Sequence, residues 1–209
     1  MTPGRLEAFS DGVLAVAITL LVFQVTLPAI PTGHLAHALF HLWPSYASYA
    51  LSFAIIGIIW VNHHAMFDRV ATVDRTVLFL NLGLLMTVAF LPFPTAILAG
   101  YVHKGGADSH VAAALYSANM TGIGVFFLAL WYHLGRTPGT LVEGFEVQAR
   151  AALRRTVPGP CIYAASVGLA FVNAQACLVL YAAMAVYFII PGRKAPPAQG
   201  IPTAGEVSP

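Results

Sequence analysis

Apolar residues in this chain fall in long, nearly continuous runs, and the polar positions gather between them. Runs of about 20 apolar residues are the length a helix needs to cross a bilayer. The first covers residues 5–27 and stops at Pro28; Thr2 and Pro3 before it suit a helix start. The second covers residues 39–61, with Pro44 in its first turn, and the third residues 73–98, with Pro92 and Pro94 near its end. A fourth covers residues 109–134, and a polar connection follows over residues 135–156. The last apolar stretch, residues 161–190, would be about 45 Å long as one helix, too long to cross a ~30 Å hydrocarbon core upright. Asn173-Ala174-Gln175 is a natural hairpin tip, and Ala151-Ala152-Leu153 can extend the helix before it backwards. The pattern therefore predicts six helices.

Charge placement favours that count. With the N-terminus inside, six crossings put Arg5, Arg69, Arg75, Arg136, Arg150, Arg154, Arg155, Arg193 and Lys194 in the cytoplasm and leave only Lys104 outside. Such a bias follows the positive-inside rule. Five crossings would move Arg193 and Lys194 outside and weaken it. The expectation is an all-α integral membrane protein with both termini cytoplasmic. Residues 1–190 form one domain without internal repeat, and the Pro/Gly/Ala-rich residues 191–209 are expected to be a disordered tail.

Composition agrees. Of 209 residues, 58% are hydrophobic and only 9% charged, with a mean hydropathy of +0.77. Soluble domains carry roughly 25% charged residues, so too little polar surface exists to cover a soluble globule. A net charge of +2 gives no nucleic-acid signature. Cys161 and Cys177 lie in apolar runs and read as small core residues. Glu7 and Asp11 inside the first run, with no A-x-A-like site after it, argue against a cleaved leader.

The candidate chemistry lies at one end of helices 1 and 2. Arg5, Glu7 and Asp11 fall in the first two turns of helix 1, and charges there are costly near lipid. They either snorkel to the boundary or form a buried polar network with Ser10. Asp11 lies about 9 Å along the helix from Arg5, and a short carboxylate cannot snorkel far. Trp60, Asn62, His63 and His64, near the end of helix 2, offer donors at the same depth. His63 and His64 are adjacent and do not share a helix face, whereas a metal needs i,i+3 or i,i+4 pairs. His37 and His41 have that spacing but no third ligand nearby, so no metal site is expected. At 100° per residue, Val16, Thr19, Leu20 and Phe23 form one apolar stripe about 100° wide, away from Asp11. By periodicity alone such a stripe packs against helices or lipid. Thr121-Gly122-Ile123-Gly124-Val125 superficially matches a carbonyl-loop filter, but it lies mid-way along an apolar run and suits close helix packing.

The string Arg5-x-x-x-Phe9-Ser10-Asp11, continuing through Thr19, resembles the signature of the transmembrane protein 175 potassium channels in their single-repeat prokaryotic form. The segments Trp60-Val61-Asn62-His63-His64 and Ala89-Phe90-Leu91-Pro92-Phe93-Pro94-Thr95 are similar to the same family. The resemblance implies a homotetramer in a prokaryotic cell membrane, with helix 1 of each subunit lining a central pore. It implies passive potassium conduction through an apolar side-chain constriction, with Val16 at the filter position and Thr19, Leu20 and Phe23 as further pore positions. It implies that Arg5, Ser10 and Asp11 belong to a supporting network with Trp60, Asn62, His63 and His64. Members commonly carry Ile or Leu where this chain has Val16, and a smaller aliphatic residue where it has Phe23. No cofactor is implied beyond the permeant potassium ion. The competing reading is a secondary transporter, proton-coupled through Asp11 and the histidines, although paired broken helices in two halves are missing. An enzyme is not expected, because no nucleophile–base pair has defined geometry.

Overall fold

A computed structural model describes residues 2–26 and 32–190, all in helices and short connections apart from one isolated bridge. The stop at Pro28 and the tail 191–209 lie outside these residues. Helix α1 spans Pro3–Leu20 and tightens into a 3-10 turn over Leu21–Gln24. A short α2, Leu35–His41, precedes α3, Trp43–Phe67. Pro44 sits in the first turn of α3, where its missing N–H costs nothing.

The third apolar run is one span made of two helices, α4 (Arg75–Phe90) and α5 (Pro92–Tyr101). Pro92 lacks the N–H that would continue the ladder and crowds the preceding turn, so the run breaks there. Asp74 caps α4, its side chain accepting from the Val77 N–H at 2.8 Å. Helix α6, Gly106–Arg136, is continuous through residues 121–125, which therefore form no re-entrant loop. A Cβ on Gly124 would lie 3.0 Å from the Pro160 backbone nitrogen, and one on Gly122 would lie 3.3 Å from Thr87. These glycines let α4 and α8 approach α6.

The polar connection holds a helix that apolar runs do not predict. Helix α7, Glu146–Thr156, carries Glu146, Arg150 and Arg154 outward and fully buries only Ala149. It continues, bent at Val157 and Pro158, into α8 (Pro158–Ala170). After a break at residues 171–172, Asn173 caps α9, Ala174–Ile189, its side chain accepting from the Ala176 N–H at 3.0 Å. Among the described residues, four helical spans are long and apolar enough to cross a membrane: Pro3–Gln24, Trp43–Phe67, Arg75–Tyr101 and Gly106–Arg136. The last two expected crossings correspond to α8, lengthened backwards by α7, and to the shorter α9, so the six-helix count is not matched one for one.

Helix α6 is the central column, packed by α4, α5, α7, α8 and α9. Two buried hydroxyl clusters tie it in place. Ser52 of α3 bonds Thr95 of α5 at 2.9 Å and Tyr116 of α6 at 3.1 Å. Ser117 of α6 bonds Tyr181 of α9 at 2.6 Å and accepts from Ser166 of α8 at 2.8 Å. The loop after α6 is held by the isolated bridge between Val70 and Leu141. Helix α1 sits at the edge, against α3 and α4.

Candidate functional site

Helix α1 has two unlike faces. Leu6, Ser10, Leu14 and Ala17 are buried, and Leu21 continues them. This is one helical face, directed at α3 and α4. Arg5, Phe9, Gly12, Val16, Thr19, Leu20 and Phe23 are all exposed. At 100° per residue these seven share one stripe about 100° wide. The 3-10 turn keeps Phe23 above Leu20, because residues three apart eclipse in that geometry. Val16 is 58% exposed and Phe23 71%, far beyond what a core residue shows. The Thr19 hydroxyl donates to the Val16 carbonyl at 2.9 Å, so its hydrogen is spent within the helix.

The buried face is held by a polar relay. Ser10, His63 and Asn81 are each wholly buried. The Ser10 hydroxyl donates to the Leu6 carbonyl at 2.8 Å. Asn81 Nδ2 donates to Ser10 Oγ at 2.9 Å. His63 Nε2 lies 2.8 Å from Asn81 Oδ1, so the tautomer with the proton on Nε2 donates there and completes a one-way chain across α3, α4 and α1. The His63 ring stacks on Phe67 at 4.3 Å, and its Nδ1 has no hydrogen-bond partner among the described residues.

Two further contacts lie closer to the surface. Trp60 Nε1 donates to Asp11 Oδ1 at 3.0 Å. His64 Nδ1 lies 2.6 Å from Glu7 Oε1. The Trp60 and His64 rings stack at 6.1 Å, so the two pairs stand side by side on α1 and α3. Helix α1 is thus linked to its neighbours by contacts from Glu7, Ser10 and Asp11, all within its first three turns.

Arg5 and Asn62 stand apart from this group, a correction to the sequence reading. Arg5 makes no hydrogen bond or ion pair among the described residues; its helical angle puts it on the exposed stripe below Phe9 and Gly12. Asn62 turns back to the Ile58 carbonyl of its own helix at 2.8 Å. Asn81 is not among the residues expected from the sequence, although a lone asparagine inside the apolar run of α4 is a readable signal. His37 and His41 contact each other at 3.0 Å, exposed on α2. Glu7, His64 and Asp68 bring three donor atoms within 4.8 Å of one another and could offer ligands to a cation. Pairing of His64 with the two carboxylates already accounts for the arrangement.

Fold and site together define a polytopic α-helical membrane protein whose first helix is anchored on one face and offers a continuous apolar face outward. Residues 5–92, from α1 to the start of α5, match the family described as "Endosomal/lysosomal potassium channel TMEM175". A potassium channel of Streptomyces collinus is 50% identical over 187 residues, which is 88% of this chain and 90% of that protein. A potassium channel of Chryseobacterium is 30% identical, covering 93% of this chain and 96% of its own. The crystal structure of a lysosomal potassium-selective channel TMEM175 homolog from Chamaesiphon minutus superposes with a TM-score of 0.80 at 37% identity. It covers 90% of this chain and 96% of that one. The chain belongs to the TMEM175 potassium channel family, which is a family of channels and not of enzymes.

Proposed function

We propose that this chain is one subunit of a homotetrameric, potassium-permeable cation channel in the cell membrane of a prokaryote. Residues 1–190 are its channel domain, and both termini are cytoplasmic, as the nine-to-one split of basic residues favours. The observation that carries the reading is the exposed apolar stripe of α1, opposite a face locked by buried hydrogen bonds. Four such helices around an axis enclose a pore with Val16 at its constriction and Thr19, Leu20 and Phe23 beyond it. The inward-bonded Thr19 hydroxyl supports an apolar lining. Rings of this kind gate by dewetting and pass an ion that keeps or partly sheds its water. Side chains do not replace a hydration shell as a ring of carbonyls does, so selectivity for potassium is real but less strict. The names of the relatives support potassium as the permeant ion. Ser10, Asp11, Trp60, His63 and His64, with Glu7 and Asn81, keep α1 at a set angle to the axis, while Arg5 lies at the mouth of the stripe.

Bilayer recordings of Val16→Ala, Val16→Asn and Val22→Ala beside the parent test this reading. Val22 is also exposed, but the 3-10 turn rotates it about 120° from Leu20. Widening or wetting the ring at Val16 is expected to raise conductance and blur potassium against sodium, with little change at Val22. Discrete single-channel steps separate a channel from a coupled transporter. Unchanged reversal potential and conductance in Val16→Asn, with channels present, sends the stripe back to a packing role.

A further inference from the structure

A second feature lies on the far side of the subunit from α1. Helices α3, α6, α7, α8 and α9 surround a cavity of about 700 Å³, within the roughly 300–1,000 Å³ range of ligand sites. No residue of α1, α4 or α5 lines it, so it is separate from the proposed conduction path. Its walls are mostly apolar, including Ile58, Met120, Ile123, Phe127 and Phe188. Its polar groups include Asn62 in the last turns of α3, Arg69 just beyond α3, and Gln148 and Arg155 along α7.

The two arginines are half-buried and have no carboxylate partner among the described residues. Arg69 Nη1 donates to the Ala65 carbonyl at 2.6 Å. Arg155 Nη2 donates to the carbonyls of Tyr187 and Ile190. Each guanidinium carries five N–H donors, so most of each fork stays free for an anion, and phosphate is the anion this geometry favours. Gln148 Oε1 is buried without a hydrogen-bond partner among the described residues. A single cavity thus combines a mostly hydrocarbon-like lining with two guanidinium groups that lack carboxylate partners, a combination that suits an amphiphilic anion drawn from a bilayer leaflet.

We propose that this cavity holds one anionic phospholipid per subunit, its phosphate between Arg69 and Arg155 and an acyl chain along α3 and α6. The occupant is a lipid and not a free anion, because most of the lining has no polar group to offer. The inference stands apart from the pore reading and needs only that the chain lies in a membrane.

Native mass spectrometry tests it. The full chain is purified from vesicles of phosphatidylcholine and phosphatidylglycerol in equal amounts. The parent is expected to retain one phosphatidylglycerol per subunit and no phosphatidylcholine. Removing both charges in Arg69→Gln/Arg155→Gln should weaken retention about thirtyfold. Ala152→Phe keeps both arginines but fills the cavity, and should also abolish retention, which covers failure of the double variant to fold. Equal retention of the two lipids overturns the proposal, and so does parent-like retention in a folded Ala152→Phe. Glycerol phosphate binding as tightly as phosphatidylglycerol would leave the apolar walls without a role and also overturn it. Retention seen only after the chain is cut behind Ile190 would identify the protein's own tail as the occupant instead.

Discussion

Replacing Asn81 by leucine removes the middle of the buried relay while keeping the same branched side-chain skeleton. His63 Nε2–H then loses its acceptor in a site with no access to water, and Ser10 loses its incoming donor. Ser10 still donates to the Leu6 carbonyl, so the main penalty is the stranded imidazole N–H. A buried polar group left without a partner costs about 1–3 kcal/mol. Taking about 2 kcal/mol, and about 2–4 °C per kcal/mol for a chain of this size, the melting point falls by about 4–8 °C. The companion variant converts the whole relay to hydrocarbon: Ser10→Ala, His63→Phe and Asn81→Leu together. Replacing all partners of a buried hydrogen bond with apolar groups of similar shape is nearly neutral. The phenyl ring at position 63 keeps the stacking on Phe67. The triple variant is therefore expected to melt within about 2 °C of the parent. Fluorescence-detected melting of the detergent-purified protein reads both values. A parent-like Asn81→Leu, or a triple variant lower than any single one, would refute the relay as a source of stability.

Trp60→Phe strips Asp11 of its indole donor, with an expected loss of about 1–3 kcal/mol and weaker assembly on size exclusion. A shifted reversal potential in an intact assembly would instead make Asp11 a pore residue. The Asp74 carboxylate is held below the usual carboxylate range, first by the Val77 N–H and then by His133. Its contribution is therefore complete above pH about 4 and lost as the pH falls below that. Asp74→Ala should cost about 1 kcal/mol at pH 7, with the gap to the parent closing below pH 4; a gap equal at both pH values counts against the cap. Gly124→Val drives side-chain atoms onto the Pro160 backbone and should cost about 1–3 kcal/mol. Gly135→Ala, where a Cβ meets nothing within 4 Å, should be neutral or stabilising in the same melting assay.

What could be read from the sequence, and what could not, follows from the range of each signal. Pro92 and Asn173 act within one helical turn, by a missing N–H and by a side-chain cap. The breaks they cause are therefore visible in the string itself. Helix α7 left no apolar run, because a surface helix that buries only Ala149 needs none. The Ser52–Thr95–Tyr116 and Ser117–Ser166–Tyr181 clusters join positions dozens of residues apart, and no local pattern announces such pairings. Asn81 is a different case. Like Asp11, an asparagine flanked by Leu80 and Leu82 is a polar group at a depth where it must find a partner. Arg5 shows the complementary error. Judged by depth it belongs with Asp11; judged by angle it belongs with Val16, since 11 residues at 100° per residue come to about 20° beyond three full turns. Depth says which residues can meet across neighbouring helices, and angle says which of them face that way. A long arginine at the end of a helix can satisfy its charge outward, so for Arg5 the angle decides.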